Sequence, residues 1–505
     1  MRHNTVGHQV LLFLTSFRPV QTITARCLHG RTLSKRRSLY DVLDVPHSAT
    51  LTEIKAAYYE LSLKYHPDVN KSEEAQHMFT ELTKAYSVLS NLNSRREYDK
   101  EIGAYFTMRS VKKKDAGEKM LRLTDEMLEI DMNGTRESGI FLSTIATLST
   151  VMGVPVRLTN VSVPNGVLQS HDMRVLQLLR MICNGTLAAN TGLSTVTYIP
   201  GELLSGHFSA EAGRLGQLSR LVAAVLPCFA FVPVPEFSHY NRLYLKGSTH
   251  RYKEMHSDYI RTVIQPFIRK FGFDFGYDIR KRSYFPFWDG KVCLESLPVY
   301  SLSPINMIES GTVKKITGWT FVSGDKPIRI AQIMSKEAHH LLKVKLPGIP
   351  LNISSHRDRD SRREGTGQGL MLLAEMSTGV VLSGTALWKR GMSPDEVVNA
   401  AVRMLLFNVN SGSCVDDMLQ DQAILFMSLA SGKSSLRVSH LNNRSKAVIK
   451  AIETFTEVKV NVSPAEVGKG TKTRRNILIE CEGQGLVNKD VLPPEDSLER
   501  VDTTV

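Results

Sequence analysis

Apolar positions in the first hundred residues recur with the period of an amphipathic helix. Ile54, Ala57, Tyr58, Leu61 and Tyr65 fall at i, i+3, i+4, i+7 and i+11, and Phe79, Leu82, Tyr86 and Leu89 repeat the pattern after a gap. This predicts two helices folded back on each other as a hairpin. Thr52 suits the start of the first helix, and Pro67, which has no amide proton, stops it; the connecting loop is therefore His66-Pro67-Asp68. Further on the texture changes. Short β-rich runs at 128–131, 154–158, 196–199, 244–245, 291–294 and 476–479 alternate with helix-length runs at 140–152, 173–183, 215–226 and 258–271. Such alternation predicts α/β layers, with helices on one face of sheets.

The chain has 505 residues, enough for about three folded units at roughly 150 residues each. With 42% hydrophobic and 22% charged residues, neither wholesale disorder nor a membrane bundle fits. No stretch reaches the ~18 consecutive apolar residues of a spanning helix. The best, 221–235, is interrupted by Pro227 and Pro233 and reads as a buried helix running into a strand. The six cysteines are scattered with no C-x-x-C pair, which excludes a zinc ribbon and predicts packed thiols; no metal site is expected. The net charge of +13 favours polyanionic partners.

That charge is unevenly placed. Residues 1–40 hold Arg2, Arg18, Arg26, Arg31, Lys35, Arg36 and Arg37 with no acid, the composition of a mitochondrial transit peptide, with a disordered basic arm as the alternative. The first reading predicts a matrix location for a chain trimmed over 1–37, with the nucleus or nucleolus as the alternative. Residues 103–123 form a basic connector. The run Arg357, Arg359, Arg362, Arg363 is nearly neutralised by Asp358, Asp360 and Glu364, whereas Lys469, Lys472, Arg474 and Arg475 make a cleaner basic patch.

Residues 38–102 resemble the J domain of DnaJ-type co-chaperones. The resemblance is carried by Leu39-Tyr40-Asp41-Val42-Leu43, by Ile54 to Tyr58 leading into Lys64-Tyr65-His66-Pro67-Asp68, and by Arg95-Arg96-Glu97-Tyr98-Asp99. It implies that His66, Pro67 and Asp68 engage a DnaK-class ATPase and trigger its ATP hydrolysis, with Lys55 and Lys64 supplying positive charge. Glu60 stands where that family usually has a base. A J domain requires no cofactor of its own.

From about Glu126 to Leu492 the chain resembles RNA 3'-terminal phosphate cyclases. The residues that carry this are Lys246-Gly247-Ser248-Thr249 with Asp258-Tyr259 downstream; Lys270-Phe271-Gly272-Phe273; Thr378-Gly379; Lys389-Arg390-Gly391; Leu419-Gln420-Asp421-Gln422; and the closing Ile479 to Leu486. The resemblance implies a multidomain protein: a small all-α helical-hairpin J domain, then an α/β core of repeated βαβ-like units over 124–300 and 400–488. A smaller α/β domain is inserted at 301–399, and a tail covers 489–505. Such enzymes use ATP to convert an RNA 3'-phosphate into a 2',3'-cyclic phosphate through a covalent histidine adenylate.

Several of the family's phosphate-handling residues are replaced. Its Glu-Gly-Gly-Gly-Gln-Ile-Leu-Arg stretch reads Arg136 to Ser143, a basic loop becomes the cation-free 162–169, and a glycine-rich stretch reads Tyr284-Phe285-Pro286-Phe287-Trp288-Asp289-Gly290. Counting back from Glu453-Thr454-Phe455, the nucleophilic histidine falls on Arg444, which has no lone pair to attack phosphorus. His440 is the nearby substitute, although the Asn442-Asn443 pair beside it marks an exposed turn. The large apolar Phe287 and Trp288 are expected to fill space a phosphate would need. Lys246, Gly247, Thr249, Asp258, Lys389, Arg390, Gly391, Asp421 and Gln422 are the motif residues retained. The expected function is a J-domain co-chaperone carrying an inactive cyclase-like domain that binds RNA, a ribonucleoprotein or protein. Two alternatives remain: an active ATP-dependent cyclase with an accessory J domain, and a fusion of two neighbouring coding units.

Overall fold

The computed structural model describes residues 38–45, 51–65, 72–90, 94, 98, 127–161, 168–189, 194–214, 216–234, 240–252, 255–284, 287–358, 365–465 and 476–493. The segment 1–37, the His66-Pro67-Asp68 loop, the connector 103–123, the loop 162–167, the basic patch 469–475 and the tail from 494 lie outside them. The chain divides into two compact units, with the N-terminal helices in one and everything described from residue 127 in the other.

In the first unit, Ser38 and Asp41 form a capping box at the start of α1 (Leu39–Val42): Asp41 N donates to Ser38 Oγ, and Ser38 N donates to the Asp41 carboxylate. The helices α2 (Leu51–Lys64) and α3 (Glu73–Leu89) pair as the expected hairpin. Tyr40, Leu43, Ile54, Leu82, Ala85 and Leu89 are fully buried, and the Tyr58 and Tyr86 rings stack with centroids 4.2 Å apart. Lys55 and Lys64 are exposed on α2, together with Tyr59 and Leu63.

The core of the second unit uses one design three times. The first repeat runs β1 (Leu128–Asp131), α4 (Ser138–Met152), β2 (Val156–Thr159), α5 (Ser170–Ile182), β3 (Thr186–Ala188), β4 (Val196–Ile199). Its sheet order is β1-β2-β4-β3, with β1 parallel to β2 and the other pairs antiparallel. The second consists of β5 (His207–Glu211), α6 (Leu218–Ala230), β6 (Asn241–Gly247), a helical run α7 (257–271) containing a π turn at Ile260–Ile264, β7 (Phe275–Lys281) and β8 (Gly290–Ser296). Its order, β5-β6-β8-β7, is the same. The third repeat begins with β9 (Asn306–Met307) and, after an insertion, resumes with α10 (Gln420–Leu429), β14 (Lys433–Val438), α11 (Asn443–Phe455), β15 (Asn461–Ala465) and β16 (Asn476–Glu482), again in the order β9-β14-β16-β15. The first helix of each repeat, α4, α6 or α10, is buried nearly all round, because beyond its first turn its residues are apolar or small on every face. Fully burying each Leu, Ile or Phe is worth about 1.5–3 kcal/mol, so these helices anchor the shared core.

The inserted domain comprises β10 (Val313–Ser323), α8 (Ile328–Lys345), β11 (Leu351–Arg357), β12 (Gly367–Met376), β13 (Val381–Leu387) and α9 (Pro394–Ser411), in the sheet order β11-β10-β12-β13. Its limits differ from the expected 301–399. Strand β9 pairs with β14 and belongs to the core, while α9 packs along β13 and β12 and belongs to the insert. The 221–235 run also differs: α6 continues through Pro227 to Ala230, and residues 231–234 after it form no strand. The Ala224 carbonyl, in the turn Pro227 disturbs, accepts a hydrogen bond from Thr147 Oγ1 at 3.2 Å.

Candidate functional site

The N-termini of α4, α5, α6, α10 and α11 converge on one cleft of about 430 Å³. Four of the five have no side-chain hydrogen bond from the N-cap residue, and their positive dipole ends face the same space, an arrangement suited to anions. The N-cap of α4, Glu137, is left-handed at φ 54°, although it carries a side chain. By the register of the sequence resemblance Glu137 stands where a glycine would, and the backbone keeps a glycine's conformation.

Two ion pairs occupy the cleft. Arg444 Nη2 and Nε donate to Asp421 Oδ2 at 2.5 and 3.0 Å, and Asp421 holds the guanidinium above its ordinary pKa. Arg220 Nη2 lies 3.0 Å from Asp172 Oδ1; burial pulls this guanidinium's pKa down while Asp172 opposes the shift. Gly139 makes room for the second pair, since a Cβ there would lie 2.6 Å from Arg220 Nη2 and 2.7 Å from Asp172 Oδ1. His171 also lines the cleft, with its pKa lowered by burial. The cations here are thus already answered by carboxylates of the chain itself.

Of the motif residues retained in the sequence, Asp421 and Gln422 line this cleft. Lys246 and Gly247 end β6, where Lys246 Nζ pairs with Glu211 at 3.0 Å. Thr249 and Asp258 are buried nearby in a separate polar network. Thr249 Oγ1 lies 2.9 Å from His250 Nδ1, while Asp258 takes both Arg282 Nη1 (2.6 Å) and Nη2 (2.8 Å). Burial pushes Asp258 up, but its bonds to His250 and Arg282 outweigh this and hold it well below the usual carboxylate range. His250, His256 and Asp258 have metal-ligand spacing, with their donor atoms within 4.8 Å of one another. Arg282 Nη1 sits 3.0 Å from His250 Nε2 and 2.6 Å from Asp258 Oδ2, so a guanidinium fills the place of the cation. Lys389, Arg390 and Gly391 follow β13 in the inserted domain.

One expectation needs correction. Phe287 and Trp288 do not line the cleft; Phe287 is 47% exposed, with its ring beside Gly365. His440 lies outside the cleft lining, half exposed, with Nε2 3.5 Å from Asp417 Oδ2 and Nδ1 3.0 Å from Ser439 Oγ. Sequence reasoning missed Asp172, His171 and Arg220. The signal for Arg220 was a lone charge inside an otherwise apolar helix.

The RNA 3'-terminal phosphate cyclase family model matches residues 135–462, which include every helix that lines the cleft. The chain belongs to the RNA 3'-terminal phosphate cyclase family. The DnaJ domain model matches residues 38–99. Among relatives of the cyclase family, the Drosophila melanogaster protein called RNA 3'-terminal phosphate cyclase is 27% identical over 72% of this chain and 99% of its own. The protein of that name from Hyperthermus butylicus is 27% identical over 65% of this chain and 91% of its own. The solution structure of the J domain of a mouse DnaJ-like protein matches 15% of this chain and 93% of its own, at 25% identity and a TM-score of 0.12. In this cleft position 444 holds an arginine that donates to Asp421.

Proposed function

We propose that the protein is a J-domain co-chaperone for a DnaK-class ATPase whose cyclase-family unit binds RNA without cyclising its ends. The observation that supports this most directly is the Arg444–Asp421 pair: a permanently protonated group, locked to a buried carboxylate, stands where the sequence resemblance puts the nucleophile. Losing one well-placed electrostatic contact typically costs ~10²–10³ in rate, and here the nucleophile is missing as well. On this reading ATP is consumed by the partner ATPase and not by this chain. The acid-free, arginine-rich 1–37 supports import into the mitochondrial matrix, and residence of the untagged chain elsewhere would refute it.

The test is incubation of the full chain with radiolabelled ATP and 3'-phosphorylated RNA. The expected result is no covalent AMP and no cyclic end, with none gained in Arg444→His. A covalent adduct lost in His171→Ala or His440→Ala would make the protein an active cyclase with a relocated nucleophile. In parallel, Asp68→Asn should abolish stimulation of the partner ATPase and leave the helical circular dichroism unchanged.

A further inference from the structure

Away from the cleft, loops of the second repeat meet the open end of the inserted sheet. Added Cβ atoms at Gly365 and Gly367 would lie 2.6 Å from the Tyr284 carbonyl oxygen and 2.4 Å from its ring, so the β7–β8 loop packs directly on the start of β12. Trp388 N donates to Gln368 O at 2.8 Å, which brings the end of β13 to the same place, and His250 N donates to Ser283 O at 3.1 Å, which brings in the loop after β6.

Along this seam cations and rings alternate. Lys246 Nζ lies 5.3 Å from the Trp288 centroid, Lys389 Nζ 5.3 Å from that of Tyr252, and Lys326 Nζ 4.3 Å from that of Trp388. Phe287, next to Trp288, lies with its ring against Gly365 and is about half exposed. Glu211 answers Lys246, and the exposed Asp325 adjoins Lys326, so the positive excess concentrates on the exposed Lys389 and Arg390, which have no carboxylate partner among the described residues. Of these rings Trp388 packs against the hydrophobic core, whereas Phe287, Trp288 and Tyr252, partly exposed and interleaved with cations, stand outside it. They offer π faces for unpaired bases and charge for the intervening phosphates. A duplex keeps its bases stacked inside and cannot use such rings.

We infer that this seam binds single-stranded RNA, with bases stacked on Phe287 and Trp288 and phosphates on Lys389 and Arg390. The inference rests on the reading of the cyclase-family unit as an RNA platform and places the strand outside the cleft. It is tested on the full chain by fluorescence anisotropy with a labelled 12-nucleotide oligouridine, and with a duplex RNA of the same length. Phe287→Ala/Trp288→Ala should weaken oligouridine binding at least ten-fold, and the exposed Phe287→Ala alone should do so several-fold without changing the circular dichroism. Phe287→Tyr/Trp288→Phe should bind within three-fold of wild type. Lys389→Glu/Arg390→Glu should weaken binding and flatten its salt dependence, and the duplex should bind at least ten-fold more weakly than oligouridine. Wild type that binds no RNA would overturn the platform reading and the seam together. Wild type that binds while the alanine variants match it, or that binds duplex equally well, would overturn the seam alone and leave the cleft as the RNA site, in which case Arg220→Ala would abolish binding.

Discussion

Arg444 and Asp421 depend on each other unequally. Asp421 is buried, and Arg444 keeps about two-fifths of its side chain in solvent, so removing the arginine leaves a buried charge without its partner. Arg444→Ala is expected to cost about 2–4 kcal/mol in chemical denaturation, and Arg444→Ala/Asp421→Ala less than the two single changes combined, because the second change removes the stranded charge. His256 makes a prediction about pH. It is fully enclosed, bonded through Nε2 to Thr385 Oγ1 at 2.7 Å, and burial lowers its pKa to about 3. The unfolded chain binds a proton near pH 6.5 that the folded chain refuses until about pH 3, so stability is complete above 6.5 and falls as pH drops toward 3. Between pH 7 and 5 the loss should be about 2 kcal/mol, and His256→Gln should flatten the slope of unfolding midpoint against pH in that window.

At the scale of elements, the repeated helix starts carry the consequences. Glu137 pays for a left-handed backbone at the head of α4, so Glu137→Gly should stabilise the second unit by roughly 0.5 kcal/mol in urea titration, against the usual direction for glycine. On α9, Ser393 Oγ accepts from Glu396 N and Ser393 N donates to Glu396, so Ser393→Ala should cost about 1 kcal/mol. Period-two and period-3.6 patterns made α2, α3 and half of the core strands readable from the sequence. Of the others, β3, β9 and β15 are short or solvent-facing and their alternation has no buried face to record, while β5, β7 and β14 also went unread. The cleft was half readable. Asp421, Gln422 and Arg444 come from matched motifs, but Asp172 and Arg220 acquire meaning only when α5 and α6 bring them together from distant parts of the chain. Phe287 and Trp288 were noticed as out of place, yet their direction depends on a loop that no periodicity describes.

For the whole molecule, the first unit has its own buried centre around Tyr40, Ile54 and Leu82. A fragment spanning 38–100 should therefore fold alone, giving helical circular dichroism and a cooperative melt, and should retain ATPase stimulation that Asp68→Asn removes. In the second unit, Tyr284 donates to Asp358 and His256 contacts Thr385, so polar groups of the core are sealed by the inserted domain. Excising that domain should expose this network and lower the unfolding temperature of what remains, rather than leave an intact core.

The insertion point also sets a timetable. The two residues of β9 pair with β14 only after the chain has travelled out through the whole inserted sheet and back. While that excursion is a floppy loop, closing it costs chain entropy for a strand of two residues, too small a reward to hold it shut. Once β10 to β13 have formed, the excursion becomes a rigid body with fixed ends, and β9 arrives beside β14 at little further cost. The third repeat should thus be the last to acquire protection in pulse-labelled hydrogen exchange during refolding, behind the strands of the insert. A lesion anywhere in the insert would delay a strand pair it never touches.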